Sequence, residues 1–460
     1  MKITIIGSGI GGLSLALYLS SRGIEVTVLE KLPEPGGRAR TLRLGEYTFD
    51  MGPSWYLMPE VFQEFYKRVG ESPPELMEVD PMFTLYSGEL GSRGEGRDFR
   101  HGELNQLKEY LDDVGEIYRL SLEKFLFREL KVLDLMDPAI LRNLDRFPLL
   151  STLDQFNRKY FRDDFTLKAL GFSSVFLGGS PFNTPALYSM VNYAIYGGGV
   201  YYPKGGFGQM VESLHRACLK RGVEFHFNTE VDGIDVEDGK VRAVRSGGKR
   251  WEGDVFVFNA DYRFADSLLP YEYQLGEGYW SRRKLAPSGL LLYLGVEGEV
   301  NLGHHTIVVN GDWTRHFRAL ERSYLPELDH TSYYVSYRGA TERGLRDLVV
   351  LVPMTPGVGV EPKVYYDALL RDLEVKSGSK IQVKVSKFYG PGDFQRDYNA
   401  FKGTAFGLAH TLDQTGPFRP PLKHRRIENL YFVGQYTQPG IGVPMVTLSA
   451  MIVGDKILSS

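Results

Sequence analysis

The pattern of apolar and polar positions at the start of the chain predicts a strand, a helix and a second strand. Lys2–Ile6 is a short β-branched run bounded by glycine, which is typical of a buried parallel strand. Leu13–Ser21 has helical spacing, and Gly23 follows where helices commonly end. Ile24–Glu30 is again rich in β-branched residues and finishes on an acid. This order of elements indicates a βαβ unit.

The segment between the first strand and the helix has the spacing of a dinucleotide-binding loop. Gly7, Gly9 and Gly12 form the pattern G-x-G-x-x-G. The first glycine permits a tight turn, the second lets backbone approach a pyrophosphate, and the third lets helix and strand pack closely. Glu30 stands where a carboxylate accepts hydrogen bonds from ribose hydroxyls and disfavours a 2′-phosphate. A plain glycine-rich turn is the alternative, but the ordered elements around the loop favour an ADP-ribosyl group.

A second glycine-rich segment follows the acid. Gly36 and Gly37 let the backbone pass close to a ligand, and Arg38 brings a guanidinium group towards phosphate. Taken alone, Arg38 is equally well a solvated surface charge. After the dinucleotide fingerprint, the segment resembles the second signature of glutathione-reductase-like flavoproteins of the amine oxidase type. That resemblance implies FAD rather than NAD.

Similar elements recur later in the chain. Gln209–Lys220 is an amphipathic helix, and Val223–Phe227 and Asp254–Asp261 are predicted strands. Asn429–Gly434 is a short strand that ends on glycine and is followed by a loop and a small apolar helix, Val446–Val453. A helix N-terminus after such a strand presents backbone N–H groups. These can stabilise the negative charge that a flavin gains on reduction.

The middle of the chain has a different pattern, because it is crowded with apolar side chains. Leu290–Leu294 and Leu348–Val352 predict strands of a second sheet. For any single apolar residue in this region, an ordinary core position is the favoured interpretation. As a group, the following residues are candidates for the wall of an apolar tunnel: Phe161, Phe165, Leu170, Phe172, Val175, Phe176, Leu177, Phe182, Leu187, Tyr188, Met190, Tyr193 and Tyr196.

Composition and charge narrow the class of protein. A chain of 460 residues exceeds the usual limit for one core, so two packed domains are expected. The net charge of -3 gives no electrostatic reason to expect nucleic acid. The single cysteine, Cys218, cannot form an internal disulfide. Ile3–Ser21 and Asn429–Gly454 carry no charge, but glycines or prolines interrupt both, so we expect no membrane span.

The last block carries a resemblance to a known family, the bacterial and archaeal type of phytoene desaturase. This is the carotenoid desaturase family of FAD-dependent, amine-oxidase-like flavoproteins. Its motif L-Y-x-V-G-x-x-T-x-P-G-x-G-x-P is matched by Leu430, Tyr431, Val433, Gly434, Thr437, Pro439, Gly440, Gly442 and Pro444. Further segments resemble the family in the same order: Phe49–Ser54, Gly178–Phe182, Gly199–Gly206, Phe394–Ala400 and Gly403–Phe406. Gln438 and Met445 depart from the common histidine and glycine, which leaves open the carotenoid step catalysed.

The resemblance implies an α/β fold with two interleaved domains. A Rossmann-like, glutathione-reductase-like FAD-binding domain is expected over residues 1–70, 200–285 and 395–460. An α+β substrate and membrane-facing domain is expected over 71–199 and 286–394.

The resemblance also implies a set of FAD-binding residues. Val231 is expected beside the adenine, and the end of the strand at Asn259 close to the cofactor. The expected set is Gly7, Gly9, Ile10, Gly11, Gly12, Glu30, Lys31, Gly37, Arg38, Pro53, Ser54, Val231, Asn259, Ala260, Gly434, Gln435, Gly442, Val443 and Met445.

The implied activity is FAD-dependent carotenoid desaturation by hydride transfer to flavin N5, with phytoene as the expected substrate. A long apolar polyene, a quinone or oxygen as electron acceptor, and a membrane surface are the expected partners. A cytoplasmic, peripherally membrane-associated enzyme is therefore expected. The alternatives are a dehydrosqualene or 3,4-desaturase, a ketolase, an isomerase, an amine-oxidase-like flavoenzyme, or a non-enzymatic prenyl-binding escort. Retention of Glu30 and Arg38 argues against the escort.

No catalytic base or metal site can be identified in the sequence. His304 and His305 lack spaced carboxylates, and neighbouring histidines in a strand point to opposite faces, so a structural or surface role is expected. Asp154 and Arg158 are favoured as a surface ion pair over polar groups in the cavity. Leu120–Met136 is amphipathic and could either lie on a membrane or cover the core.

Overall fold

The computed structural model describes residues 1–102, 105–138 and 151–460, apart from the side chains of Asn105 and Phe176. Residues 103–104 and 139–150 of the predicted substrate segment, and the predicted tunnel side chain of Phe176, therefore lie outside the description.

The predicted βαβ unit lies at the centre of a parallel sheet. The order across this sheet is Leu430–Phe432, Val255–Phe258, Lys2–Ile6, Glu25–Leu29 and Glu224–His226, and each neighbouring pair is parallel. The first helix, Ile10–Ser20, packs against Phe207–Lys220 and Val443–Leu458. Every residue of the first helix is buried, which explains why the segment carries no charge.

A second sheet is mixed and larger. Its order is Gln382–Tyr389, Ser288–Glu297, Asp347–Met354, Ser332–Tyr337, His305–Asn310, Phe83–Gly88 and Glu95–Phe99. The pair formed by His305–Asn310 and Phe83–Gly88 is parallel, and the other neighbours are antiparallel. The strands predicted from Leu290–Leu294 and Leu348–Val352 are adjacent here, with Leu292 opposite Val350.

Smaller sheets and further helices complete the described fold. The small sheets are Gly233–Glu237, Lys240–Ser246 and Lys249–Glu252; Thr41–Leu44 with Tyr47–Asp50; and Leu76–Glu78 with Tyr201–Pro203. The further α-helices are Pro59–Val69, Lys108–Lys124, Leu153–Tyr160, Asp164–Phe172, Met190–Asn192, Tyr262–Ser267, Glu277–Trp280, Trp313–Glu321, Pro362–Ser377 and Pro391–Tyr398.

The α/β fold class with a parallel, Rossmann-like sheet and a second sheet is confirmed. The parallel sheet draws its strands from within 1–70, 200–285 and 395–460, and the mixed sheet from within 71–199 and 286–394. In the parts of the chain that the structure describes, no helix combines the length and the apolar character needed to cross a bilayer.

The amphipathic stretch Leu120–Met136 is divided rather than continuous. The helix Lys108–Lys124 ends within it, and a 3₁₀ turn, Val132–Met136, follows after an extended connection. Phe125 and Leu126 are buried in the core, whereas Leu133 is 80% exposed. The first half therefore covers the core, as one of the two alternatives expected, and the second half presents apolar side chains to solvent.

Candidate cofactor and substrate site

A large cavity of about 720 Å³ is lined by both the predicted nucleotide segments and apolar side chains from the middle of the chain. Every residue expected to bind FAD lines this cavity except Gly12. We call the surface formed by residues 7–11, 30–31, 36–38, 259–261 and 433–446 the nucleotide wall. The apolar wall is formed by side chains from 118–135 and 177–194.

The glycine loop is shaped by steric limits. Gly7 has a φ of +101°, and a Cβ there would lie within 2.6 Å of the carbonyl oxygen of Asn259. Gly12 sits behind the loop, where a Cβ would overlap the carbonyl oxygen of Gly7. The first helix begins at Ile10, so its N-terminal N–H groups adjoin the cavity, as an anion site requires.

Glu30 is buried at the end of the second strand and is held by the loop. Its Oε2 accepts hydrogen bonds from Ser8 N and Ser8 Oγ, both at 2.7 Å, and its Oε1 accepts one from Leu32 N at 2.8 Å. The next residue, Lys31, donates to Asn399 Oδ1 at 2.7 Å and pairs with Glu230 at 3.0 Å. Both side chains therefore have fixed orientations at the cavity.

Arg38 follows two glycines that both have positive φ, +109° at Gly36 and +54° at Gly37. The Arg38 guanidinium lies over the ring of Tyr398, 4.8 Å from its centroid. Its Nε and Nη2 are buried and have no hydrogen-bond acceptor among the described residues. A buried cationic group without an acceptor is costly, so an anion in the cavity would stabilise it.

The strand end at Asn259–Asp261 closes the loop from the other side. The side-chain amide oxygen of Asn259 accepts hydrogen bonds from Gly12 N at 3.1 Å and from Gly9 N at 3.3 Å. Asp261 is buried, and its carboxylate accepts hydrogen bonds from Tyr436 Oη and from Phe401 N at 3.1 Å. Burial raises the pKa of Asp261 above its usual range.

The C-terminal block supplies a loop with three left-handed glycines, Gly434, Gly440 and Gly442. Arg419 is buried beside this loop, and burial lowers its pKa to about 10. Its guanidinium donates to the backbone oxygens of Leu408, Gln414, Gln435, Tyr436 and Thr437. Three of these carbonyls belong to the irregular C-terminal loop and two to the preceding segment, so one side chain joins the two segments through their backbone.

Gln438 joins the C-terminal loop to the amphipathic stretch. Its Oε1 accepts from Leu130 N at 2.8 Å, and its Nε2 donates to Leu130 O at 3.0 Å. Two bonds to one backbone unit fix both groups of that residue. Gln438, which stands where histidine is common in the family, therefore clamps the backbone of Leu130 beside the cavity.

The apolar wall is only partly the one predicted. Of the candidate tunnel residues, Leu177, Leu187, Tyr188 and Met190 line the cavity. Phe165 and Phe172 instead pack in the buried core. For these residues the structure agrees with the core position that was favoured for any single residue, because apolar composition alone does not separate a cavity wall from a core.

Other residues of the cavity were not anticipated. They come from the mixed sheet, the helix Pro391–Tyr398, the C-terminal loops and the segment after Tyr47–Asp50, and include Trp55, Tyr334, Tyr398, Phe406 and His410. Their sequence spacing gives no sign of it, since Ser54 and Tyr334 are hydrogen-bonded at 2.7 Å although 280 positions separate them.

Two polar pairs were singled out in the sequence, and the structure agrees with the prediction for only one of them. Asp154 and Arg158 form the favoured ion pair, with Oδ2 and Nε 2.8 Å apart. His304 and His305 are both buried, and their ring centroids lie 4.4 Å apart. The prediction that they point to opposite faces was wrong, because the strand begins at His305 and His304 lies just before it. Among the described residues, no cluster of histidine, cysteine and carboxylate side chains could hold a metal ion.

The nucleotide wall fits FAD on two grounds. The glycine loop brings the N-terminus of the first helix to the cavity, where Gly9, Ile10 and Gly11 are among the lining residues. Arg38 and Gln435 each hold a buried donor nitrogen without an acceptor among the described residues. Buried donors of this kind normally have partners, and a phosphate or a flavin edge offers acceptors.

The comparisons agree with this geometry. A family model described as "Flavin containing amine oxidoreductase" matches residues 10–458. The chain therefore belongs to the family of flavin-containing amine oxidoreductases, its cofactor is FAD, and it is an oxidoreductase.

Two relatives narrow the family further. The chain is 35% identical to the carotenoid 3,4-desaturase of Haloarcula japonica, over 99% of this chain and 98% of the relative. It is 30% identical to the zeta-carotene-forming phytoene desaturase of Myxococcus xanthus, over 100% of this chain and 94% of the relative. Within the larger family, the chain is a carotenoid desaturase-type flavoprotein. A crystal structure of an oxidoreductase from Methanosarcina mazei shares the fold, with a TM-score of 0.66 at 19% identity over the whole of both chains.

Proposed function

We propose that this protein is an FAD-dependent carotenoid desaturase that introduces C=C bonds into a long acyclic polyene, with phytoene as the first substrate to test. The observation that carries this proposal is the continuity of the cavity. The loop and Arg38 that suit a dinucleotide line the same space as Leu177, Leu187 and Met190. A hydrocarbon bound along the apolar wall is thus held against the cofactor.

Each partner in the proposed reaction has a separate task. When bound, FAD would supply the two-electron acceptor for a hydride, through its N5, with a quinone or oxygen as the final electron acceptor. The chain holds the cofactor through the predicted FAD-binding residues. The apolar wall excludes water and aligns a substrate that offers no polar handle.

The distribution of strands between the two sheets supports the proposed domain division. In that division, residues 1–70, 200–285 and 395–460 bind FAD, and 71–199 with 286–394 bind the substrate. The cavity draws its lining from both groups of segments.

A second candidate is 3,4-desaturation of a later carotenoid. It is favoured by the higher identity to the Haloarcula japonica relative, 35% against 30% for the Myxococcus xanthus relative. Both candidates use the same cofactor and hydride chemistry and differ in the carotenoid that enters.

One experiment tests the function and separates these candidates. The FAD-loaded protein is incubated anaerobically with liposomes that contain phytoene or an acyclic carotenoid with a longer conjugated system. We expect bleaching of the flavin absorbance and new polyene bands at longer wavelength. Bleaching with the later carotenoid alone would support the second candidate. A protein that keeps its flavin but bleaches only with a polar amine would contradict both.

We further propose that the protein takes its substrate from a membrane surface. Leu135, Leu412 and Phe418 line the cavity and are also exposed, so they mark where it meets solvent. Together with their exposed neighbours they form what we call the mouth patch: Val132, Leu133, Leu135, Met136, Leu412 and Phe418. An exposed apolar patch is suited to contact with lipid.

The mouth patch can be tested by flotation with phosphatidylcholine–phosphatidylglycerol vesicles. The double substitution Leu133→Glu and Met136→Glu should abolish co-flotation without changing the bound flavin. Tyr271→Glu is the matched control, since Tyr271 is 87% exposed and does not line the cavity. Equal flotation of all three proteins would contradict a role of the patch.

A further inference from the structure

A chain of hydrogen bonds leads from the cavity into the mixed sheet. Ser54 and Tyr334 line the cavity. Tyr334 Oη lies 2.7 Å from Ser54 Oγ and 2.7 Å from His305 Nδ1. Tyr334 and His305 stand on neighbouring antiparallel strands, where Tyr334 is opposite Ile307. Both side chains are buried, so the chain Ser54–Tyr334–His305 is fixed by the sheet.

The surroundings of His305 keep its imidazole neutral. Burial, together with the adjacent His304, holds the pKa of His305 well below its usual range. The Trp55 indole is stacked on the imidazole, with ring centroids 4.5 Å apart and planes at 16°. A neutral imidazole has one nitrogen lone pair. With Nδ1 facing the Tyr334 hydroxyl, that nitrogen can accept the phenol proton.

We propose that Tyr334 is the catalytic proton acceptor of the desaturation, with His305 as the positioning residue that receives the phenol proton and Ser54 orienting the hydroxyl. This assignment rests on the proposed function. Once the hydride has left one carbon, the neighbouring C–H bond breaks and its electron pair forms the C=C bond. The proton goes to Tyr334 Oη, while the original phenol proton passes to His305 Nδ1.

The chemistry requires only a weak base. A C–H bond next to an electron-deficient carbon is far more acidic than an imidazolium ion, so a neutral tyrosine–histidine pair accepts its proton. The positive charge moves from the substrate to His305, where the face of Trp55 stabilises a cation. The stored proton is used when a two-electron acceptor such as a quinone is reduced to its quinol, which takes up two protons.

Two other polar side chains in the cavity are less suited to this role. His410 Nδ1 lies 3.1 Å from Leu177 O, and its Nε2 occupies the space that a Cβ at Gly440 would take. The Asp261 carboxylate is already engaged by Tyr436 Oη, Phe264 N and Phe401 N. Tyr334 differs because its hydroxyl joins the cavity to a second acceptor.

The test compares FAD-loaded Tyr334→Phe with wild type and with Tyr337→Phe. Tyr337 is a matched control on the same strand, and it does not line the cavity. Anaerobic flavin bleaching by the carotenoid that wild type accepts is followed by rapid mixing. We expect Tyr334→Phe to bleach at least about 100-fold more slowly, as expected for loss of a general base. FAD affinity and KM should stay within about twofold of wild type. The melting temperature should stay within a few degrees of that of wild type.

A second variant tests the link to His305. His305→Gln keeps a hydrogen-bonding group but cannot hold the proton, and it should slow bleaching by at least about tenfold. The double variant Tyr334→Phe and His305→Gln should be no slower than Tyr334→Phe alone, because His305 acts through Tyr334. A merely structural role would instead give additive losses with lower melting temperatures.

The outcomes separate this assignment from the proposed function. Bleaching of Tyr334→Phe at the wild-type rate would overturn the assignment alone. A raised KM with unchanged kcat, seen only for carotenoids that carry a hydroxyl group, would also overturn it and make the hydroxyl chain a substrate-recognition site. Failure of wild type to bleach with any carotenoid would overturn both proposals.

Discussion

The nucleotide wall and the apolar wall line one cavity but are built by different means. The nucleotide wall depends on backbone: Gly7 and Gly12 leave no room for a Cβ, and Arg38 is aimed by two glycines with positive φ. The apolar wall is a sum of side chains such as Leu187 and Met190, contributed by separate segments. A binding site that depends on backbone geometry is expected to lose its ligand after a single substitution. A wall of many side chains is expected to lose its function gradually.

The largest effect is expected at the glycine loop. In Gly12→Ala the new Cβ overlaps the carbonyl oxygen of Gly7, so the strand and the helix must separate. We expect the FAD dissociation constant to rise by at least about 100-fold and the melting temperature to fall. Fluorescence titration with FAD and thermal melts measure this. Gly278→Ala is the control, since nothing lies within 4 Å of a Cβ there. If Gly12→Ala and Gly278→Ala lost FAD affinity equally, the nucleotide wall would not be especially sensitive to an added Cβ.

The next effect tests whether Arg38 binds an anion. Arg38→Met should raise the FAD dissociation constant about 30-fold, because hydrogen bonds to a charged group contribute roughly 2 kcal/mol. Arg43→Met, at an exposed position of the neighbouring strand, should leave the constant unchanged. The affinity of wild type should also decrease with added salt more steeply than that of Arg38→Met. An Arg38→Met protein with normal affinity would contradict the fit to FAD.

The two sheets are expected to differ in how strongly their stability depends on pH. Burial lowers the pKa of His316, beside the mixed sheet, to about 3. The unfolded chain, with a histidine pKa near 6.5, therefore binds more protons below that pH, so stability is present at neutral pH and is lost as pH falls. At pH 5 the loss is about 2 kcal/mol relative to pH 7. His316→Gln should remove it in urea melts, and His226→Gln on the parallel sheet should not. Identical pH profiles for wild type and His316→Gln would refute this.

The smallest effect is expected on the apolar wall. Leu187→Gln puts one polar group among many apolar ones and should raise KM for the carotenoid about fivefold while leaving FAD affinity unchanged. Val364→Gln, at an exposed position on another helix, is the control. A loss as large as that of Gly12→Ala would mean that the apolar wall is no more tolerant than the nucleotide wall.

The contrast between the two walls also explains which site residues the sequence predicts. Gly7, Gly12, Glu30 and Arg38 act locally within one βαβ unit, so their spacing carries the prediction. Tyr334 was not identifiable, because its neighbour Tyr333 has the same chemistry and turns away to donate to Asp372. Strand pairing with distant residues decides which of two adjacent tyrosines faces the cavity. Apolar composition predicts that a side chain is buried, but it does not predict which residues pack against that side chain.

The clamp formed by Gln438 has a consequence for how this protein can diverge. Because the amide of Gln438 bonds to the backbone of residue 130, the side chain at that position can change without loosening the attachment. Substitutions can therefore accumulate around the cavity entrance while the cofactor loop stays in register. Divergence towards a new chain-shaped substrate would then leave the electron-transfer half of the enzyme intact.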